Sequence, residues 1–379
     1  VWKYDNESPY FDAEVLSRRY NLLKRYRLHH RTLDLIYILR DGLTYDFANI
    51  GHPMLFAETY IGTKKIIENY VDEVSDCLRY LASSECITFQ LKEKIQFFEE
   101  CQKAYGQPAL MLSGGATLGL FHTGVCKALL EQDLLPKVLS GSSAGAIMTG
   151  MLGTSSADQI PELLTGKHFF HEAFRFRKVM ELIKGHGGIA DVMYLKKFLI
   201  HNMGDLTFAE AYQRSGLHIN IAVAPYNASQ NPRILNALTA PNALVWSAVM
   251  ASCAVPVLFP PVHLTSKRYD GQHTPYMSNT KWVDGSMRSD FPQEKMGRLY
   301  NINYTIASQV NPHIVPFMQS DLQRYRNDVL SWPERIIRHQ GKTIALDVMD
   351  LTRHYVGRFF PIRRALDHGY GILGQRYYG

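Results

Sequence analysis

Apolar side chains recur at every third or fourth position along the first quarter of the chain. The clearest stripe consists of Ile66, Ile67, Tyr70, Val71, Val74, Cys77, Leu78 and Leu81. This spacing places the apolar residues on one face of a helix. Residues 92–104 have the pattern of a second helix. Residues 1–105 are therefore predicted to form a mainly helical N-terminal domain.

After residue 106, short apolar runs alternate with helical segments. Residues 109–113, 137–141, 218–224 and 303–309 are predicted strands, and residues 121–130 are a predicted helix. Strands that alternate with helices indicate an α/β domain, which we place at residues 106–320. Residues 321–379 return to a helical pattern, with Ile336, Ile344 and Val356 among the apolar anchors, and predict a helical C-terminal extension.

The longest stretch without Asp, Glu, Lys or Arg covers residues 234–266. Prolines leave only residues 243–255 uninterrupted, about 13 residues against the roughly 20 that a membrane-spanning helix needs. We therefore expect a buried helix and loop here, and only peripheral contact with membranes. The polar residues 266–281 that follow are predicted to form a surface loop.

A serine between two glycines follows the second predicted strand. Ser143 is the central residue of Gly141-Ser142-Ser143-Ala144-Gly145, and a run of small residues typical of a helix comes next. Glycines at these positions allow a sharp turn that exposes the serine hydroxyl at the positive end of the helix. Ser143 is the predicted nucleophile.

A second glycine motif, Gly114-Gly115-Ala116-Thr117-Leu118-Gly119, lies between the first predicted strand and helix. Backbone N–H groups in such a loop can bind an oxyanion. A dinucleotide-binding loop is the rival interpretation. The glycine spacing does not fit it, and no acidic residue ends a second strand about 20 residues later.

A carboxylate suited to act as the base comes from Lys281-Trp282-Val283-Asp284-Gly285, where an apolar strand ends. Asp284 would need a water-poor pocket and a short hydrogen bond to deprotonate Ser143. Asp-Gly is also a common turn dipeptide, and Asp270-Gly271 repeats it. Since Asp270 lies in the predicted surface loop, we prefer Asp284.

In this order, the glycine loop, the serine elbow and the Asp-Gly pair resemble the patatin-like phospholipase family. The proline-containing segment at 251–261 and the segment at 308–313 also resemble that family, so the likeness covers about residues 106–320. Residues 1–105 resemble the helical region that precedes the patatin domain in fungal and plant triacylglycerol lipases. Matching segments there are 10–12, 39–43, 48–50 and 63–70.

The resemblance implies a three-layer α/β/α catalytic domain with a Ser-Asp dyad, Ser143 and Asp284. It implies an oxyanion hole at Gly114, Gly115 and Ala116 and a glycerolipid or phospholipid substrate. The histidines and cysteines have no spacing typical of a metal site, so we expect no metal or other cofactor. Plant storage patatins have a glycine at the position of Ala116 and a basic residue at that of Leu118; loss of the basic residue favours neutral glycerolipids. Members usually continue beyond the point matching Gly379, so the natural chain is expected to be longer.

Composition adds the setting. A chain of 379 residues with 46% apolar content is long enough for a catalytic domain with a helical attachment. Its net charge of +6 is compatible with an anionic membrane, and no nucleic-acid motif occurs. The five cysteines have no metal spacing and predict reduced thiols in the cytoplasm. We expect peripheral association with a membrane or lipid droplet.

The basic stretch at residues 17–31 contains six Lys or Arg residues and no acid. Leu16, Tyr20, Leu23 and Tyr26 recur along it at helical spacing. Such a face can lie on lipid headgroups. It can equally be a solvated helix that packs on the catalytic domain.

Three alternatives to a Ser-Asp hydrolase stay open at this point. A Ser-His-Asp esterase would use one of the histidines that follow Asp284, namely His313, His339, His354 or His368. A lysophospholipid acyltransferase would use a His-x4-Asp pair, either His186 with Asp191 or His29 with Asp34. A lipid-binding scaffold would have lost catalysis, but Ser143, Asp284 and the glycine loop are all intact.

Overall fold

The computed structural model describes residues 2–44, 46–58, 62–83, 86, 89–165, 188–227, 230–255, 260–285 and 291–311. The chain divides into a helical unit, Val1–Gln107, and a second unit that begins at Pro108. The helical extension predicted at 321–379 lies outside the described residues.

The helical unit contains α1 (Ala13–Leu28), α2 (Thr32–Gly42), α3 (Lys65–Ala82) and α4 (Leu91–Tyr105), with short 3-10 helices at Trp2–Tyr4, Phe47–Asn49 and Pro53–Phe56. Local sequence sets where helices begin. The Asp12 carboxylate caps α1 by accepting the Val15 N–H at 3.0 Å, and Gln90 and Glu93 form a capping box on α4. Helix α3 covers the apolar stripe predicted at 66–81 and buries Ile67, Tyr70, Cys77 and Leu81.

Helix α1 includes most of the basic stretch and packs against α3. Leu16 and Leu23 are fully buried in the core of the helical unit. The Arg27 guanidinium donates to the buried Glu73 carboxylate at 2.7 Å, and this hydrogen bond raises the pKa of Arg27. The apolar positions of α1 therefore stabilise the helical unit, contrary to the interpretation of this face as lipid-facing.

From Gln107 onward, the described residues form eight strands: β1 (Gln107–Leu112), β2 (Val138–Gly141), β3 (His218–Pro225), β4 (Arg233–Leu235), β5 (Leu264–Lys267), β6 (His273–Tyr276), β7 (Trp282–Asp284) and β8 (Ile302–Ser308). The main sheet has the order β4-β3-β2-β1-β8, with β7 also paired to β3. Strands β5 and β6 form a separate antiparallel pair. The described helices are α5 (Phe121–Glu131), α6 (Ala144–Thr154), α7 (Ile160–Leu164), α8 (Gly188–Met203), α9 (Phe208–Ser215), α10 (Val245–Ser252) and α11 (Gln293–Tyr300).

Strand β1 shows how the sheet is covered on both faces. Leu110 and Leu112 belong to the core that includes residues of α6, α8, α9 and α10, whereas Ala109 and Met111 pack in a smaller core with Met296 of α11. Successive side chains of a strand point to opposite faces, so helices lie on both sides of the sheet. This is the three-layer α/β/α arrangement expected from the sequence.

The prediction of a surface loop at residues 266–281 is wrong. The segment contains most of a β-hairpin, in which Leu264 pairs with Tyr276 and Lys267 with His273. Most of the surface of this hairpin is solvent-exposed, so polar residues occupy most of its positions. The sequence therefore lacks the apolar run that marks a buried strand. The apolar helix before it, α10, is buried at every residue. No helix in the described part of the chain is long and apolar enough to span a membrane.

Candidate active site

Ser143 occupies a strained turn between β2 and α6. Its φ and ψ are 50° and −115°, a backbone conformation that residues other than glycine rarely adopt. Ser143 is the N-cap residue of α6 and is partly exposed. The turn is tight enough that a Cβ at Gly145 would lie 2.2 Å from the Leu112 carbonyl oxygen. The second glycine of the motif is therefore required by close backbone packing.

The pairing of β3 brings the ends of β2 and β7 together. The residue pairs are Ile221 with Gly141 and with Leu235, and Val223 with Arg233 and with Asp284. Because β4 pairs with both Ile221 and Val223, β2 and β7 must share the opposite edge of β3. Strand β2 runs parallel to β3 and β7 runs antiparallel. The two strands therefore end facing each other. Their last residues, Gly141 and Asp284, pair with β3 residues that are two positions apart, a separation of about 7 Å along the strand.

The end of α10 binds both sides of this junction. The Ser143 N–H donates to the Ser252 hydroxyl at 2.9 Å, and that hydroxyl donates to the Ala222 carbonyl at 2.7 Å. The Asp284 N–H donates to the Ala254 carbonyl at 3.1 Å. Segment 252–254 thus holds the backbones of Ser143 and Asp284 against the same strand.

Cys253 lies between these two contacts. Its thiol donates to the Ser143 carbonyl at 3.4 Å. Burial and the nearby Asp284 carboxylate raise the pKa of Cys253, so the thiol stays protonated at neutral pH. Asp284 itself is only 1% exposed. The junction therefore holds a carboxylate away from bulk water, close to the serine turn.

The glycine loop packs directly on the serine turn. The Gly145 N–H donates to the Ser113 carbonyl at 3.1 Å, and the Ser142 N–H donates to the Leu112 carbonyl at 3.2 Å. A Cβ at Gly119 would lie 2.4 Å from the Ala144 Cβ. Ala116 begins a 3-10 helix, Ala116–Leu120, so its backbone does not need the left-handed conformation that only glycine adopts readily. The first N–H groups of such a helix have no partner within it.

His122 is a buried polar residue that the sequence reasoning missed. Its Nε2 lies 2.9 Å from the Ser113 carbonyl oxygen, and its Nδ1 lies 2.8 Å from the Ser308 hydroxyl. Because a carbonyl only accepts, Nε2 carries the hydrogen and Nδ1 accepts from Ser308. Burial lowers the pKa of His122. Both ring nitrogens are thus used to anchor the glycine loop to β8.

The sequence signal for His122 was a histidine at the second position of the predicted helix, three residues after Gly119 of the glycine loop. Ser252 had no comparable signal, because its partners come from residues 109 and 30 positions away in the chain.

Of the other residues considered from sequence, Asp270 and Asp34 have different surroundings. Asp270 is exposed in the turn of the β5–β6 hairpin, and the Asp34 carboxylate accepts from Arg31 at 2.7 Å in the helical unit. His186, His313, His339, His354 and His368 lie outside the described residues. Within the described ranges, no three His, Cys, Asp or Glu side chains form a group that could hold a metal ion.

Comparison with known proteins identifies both units. Residues 110–295 match the model of the patatin-like phospholipase family, and residues 1–103 match a domain of unknown function, DUF3336. Triacylglycerol lipase ptl3 of Schizosaccharomyces pombe is 36% identical, over 88% of this chain and 70% of its own length.

Two longer relatives also match. Triacylglycerol lipase 4 of Saccharomyces cerevisiae is 37% identical over 85% of this chain and 36% of its own length. Triacylglycerol lipase SDP1L of Arabidopsis thaliana is 35% identical over 83% of this chain and 41% of its own length. The chain spans less than half the length of these two relatives. With the serine turn and glycine loop in place, these matches show that the chain belongs to the patatin-like phospholipase family and has a DUF3336 domain before its patatin domain.

Proposed function

We propose that the protein is a serine lipid acyl hydrolase that cleaves glycerolipid esters with Ser143 as nucleophile and Asp284 as base. The observation that carries the proposal is the convergence of β2 and β7 on one edge of β3, with segment 252–254 bound to both ends. The strained backbone of Ser143 and the burial of Asp284 support the two roles.

In the first half-reaction, Asp284 accepts the Ser143 proton as Oγ attacks the ester carbonyl carbon. The carbonyl oxygen becomes an oxyanion, and the backbone N–H groups of Gly114, Gly115 and Ala116 are the proposed donors to it. One such donor is typically worth about 3 kcal/mol in the transition state. The ester bond then breaks, and the leaving alcohol takes the proton from Asp284. Ser143 keeps the acyl group.

In the second half-reaction, Asp284 accepts a proton from water as the water oxygen attacks the acyl carbon. The same N–H groups stabilise the second oxyanion. Collapse of this intermediate breaks the bond to Oγ, which regains a proton from Asp284. The products are a fatty acid and the free enzyme, so neither half-reaction requires a metal or a redox cofactor.

The proposed substrate class is neutral glycerolipids, with triacylglycerol first. Relatives across 83–88% of the chain are triacylglycerol lipases. Apolar side chains lie beside the glycine loop, where Leu118 is 37% and Phe121 is 68% exposed. An apolar rim favours contact with acyl chains over a charged headgroup. We propose that the enzyme acts from the cytoplasm at the surface of a lipid droplet or membrane, to which it binds peripherally.

The test is fatty-acid release from emulsified triolein and from a phosphatidylcholine dispersion. Wild type, Ser143→Ala and Asp284→Asn are compared with Asp270→Asn, which removes the other Asp-Gly carboxylate. We expect release by wild type and Asp270→Asn, faster on triolein, and none by the two site variants.

Unchanged release by Ser143→Ala would remove the whole assignment. Faster release from phosphatidylcholine would replace the substrate class but keep the dyad. No release by wild type, together with transfer of a labelled acyl group to lysophosphatidylcholine, would favour the acyltransferase. If no transfer occurs either, a non-catalytic scaffold is favoured.

A further inference from the structure

A groove beside edge strand β4 is separate from the serine turn. It has a volume of about 380 Å³ and lies between β4, α11 and Tyr276 of β6. Strand β4 occupies the edge of β3 opposite to β2 and β7. Pockets that hold small molecules typically measure about 300–1,000 Å³. The groove is therefore large enough for a headgroup and the start of a chain.

The groove combines an apolar floor with a cationic rim. Ile234, Leu235 and Leu299 supply apolar surface. Arg233, Lys295 and Arg298 supply three cations, and no Asp or Glu lines the groove. Among the ion pairs of the described residues, none includes these three.

The cations are held close together. Lys295 and Arg298 are three residues apart on α11 and so share a face of the helix. Arg233 donates to the Met277 sulfur at 3.3 Å and lies over the Trp282 ring at 5.8 Å, and Lys295 donates to the Pro232 carbonyl. Burial and the charge of Arg233 both lower the pKa of Lys295. The three like charges beside the groove repel one another, and an anion bound between them would reduce that repulsion.

We propose that this groove binds an amphiphile with a single anionic head, whose carboxylate or phosphate lies between the three cations and whose first methylenes lie on the apolar floor. A guanidinium and an ammonium both bind carboxylate and phosphate oxygens well. Two sources share this chemistry, a free fatty acid and an anionic phospholipid in a membrane. Binding here does not depend on Ser143 or on the proposed hydrolysis.

The direct test is photo-crosslinking with a palmitate analogue that carries a diazirine, followed by peptide mapping. The matching uncharged probe is the corresponding alcohol. Wild type is compared with Arg233→Gln/Lys295→Gln/Arg298→Gln and with Arg268→Gln, an exposed cation in the β5–β6 hairpin turn. We expect the acid to label residues 232–239 or 293–299, the alcohol to label them about tenfold less, and the triple variant to lose labelling about tenfold. Arg268→Gln should behave as wild type.

Flotation with phosphatidylcholine vesicles, with and without phosphatidic acid, separates the two sources. If phosphatidic acid increases flotation of wild type but not of the triple variant, the anionic head belongs to a phospholipid. If the two proteins float equally but wild type is crosslinked more strongly, the head is a free carboxylate. The proposal is overturned if neither assay distinguishes the triple variant from wild type, or if the alcohol labels the groove as well as the acid does.

The three side chains are at the surface, so the variants should fold, and circular dichroism checks this. If the triple variant does not fold, Arg298→Gln alone should weaken labelling about threefold. Wild-type labelling of a folded Arg298→Gln would then count against the proposal.

Discussion

At the scale of single residues, Ser252 is the side chain that ties the serine turn to the sheet. Its hydroxyl accepts the Ser143 N–H and donates to the Ala222 carbonyl. Ser252→Ala leaves both groups without these partners in a buried site, which typically costs about 1–3 kcal/mol. Ser252 is fully buried, so the backbone of Ser143 loses this support and the serine turn is less well held. We therefore expect kcat on a soluble p-nitrophenyl ester to fall about ten- to a hundredfold, with little change in KM. Labelling by a fluorophosphonate should slow in parallel.

Ser247→Ala is the matched control for Ser252. It is the same substitution on the same helix at a fully buried position, but the Ser247 hydroxyl accepts from the Thr265 N–H instead. It should lower stability and leave kcat unchanged. Equal kcat losses in the two variants would mean that α10 acts only through stability. Restoration of labelling by Ser252→Thr would support the hydroxyl itself.

The site residues that the sequence could suggest are those with a local signature. Ser143 and Asp284 lie within two positions of glycines that permit a tight turn, so each motif is visible in a few consecutive residues. Ser252 and His122 act through partners that only the fold brings together. The separation of these residues along the chain does not indicate that they are in contact.

At the scale of elements, the glycine loop must contact α6 for the proposed oxyanion hole to lie near Ser143. A methyl group at Gly119 would overlap the Ala144 Cβ at 2.4 Å and push the two elements apart. A displacement of about 1 Å can cost about a hundredfold in rate. We expect kcat of Gly119→Ala to fall about a hundredfold.

Gly124→Ala, in the exposed part of α5, is the control. It should keep full activity, because nothing lies within 4 Å of its new methyl group. A similar loss of kcat in both variants would contradict the role of the contact between Gly119 and Ala144.

All four predicted strands overlap observed strands. Those at 109–113, 137–141 and 218–224 overlap the largely buried β1, β2 and β3, whose mostly apolar runs reflect helices on both sides. The strand predicted at 303–309 overlaps β8, which is mostly not buried. Strand β4 was missed because it has only three residues and begins at the exposed Arg233. The β5–β6 hairpin was missed because its polar positions resemble a loop.

At the scale of the whole molecule, the change of periodicity near residue 106 separates a helical from an α/β region, close to the division at Gln107 and Pro108. The net charge of +6 does not by itself identify a lipid-binding face. In the helical unit, Arg27 and Arg31 pair with acids. The cations beside β4 form no ion pair with a described acid, and their clustering became apparent only when the chain was folded, because residues 233 and 295 are 62 positions apart.

The stability of the catalytic unit should depend on pH through the buried His122 and the partly buried His218. Burial lowers the pKa of both His122 and His218 below the ordinary value of 6.5. Between the folded pKa and 6.5 the unfolded chain binds more protons than the folded one, so stability falls as the pH drops below about 6.5. Burial raises the pKa of the Glu210 carboxyl in this unit, but hydrogen bonds from Lys267 and the Thr207 N–H bring it below its ordinary value of 4.5, so this group lowers stability mainly below about pH 4.5. Urea unfolding at about pH 7.5 and pH 5.5 measures the difference.

The double variant His122→Gln/His218→Phe tests the two histidines. It keeps the hydrogen-bonding shape of the first ring, and it keeps the stacking of the second on Tyr212 and its tilted contact with Tyr300. It should reduce the loss of midpoint on acidification, whereas His29→Gln, at an exposed position, should not. Equal losses in wild type and the double variant would show that these two histidines do not set the pH dependence.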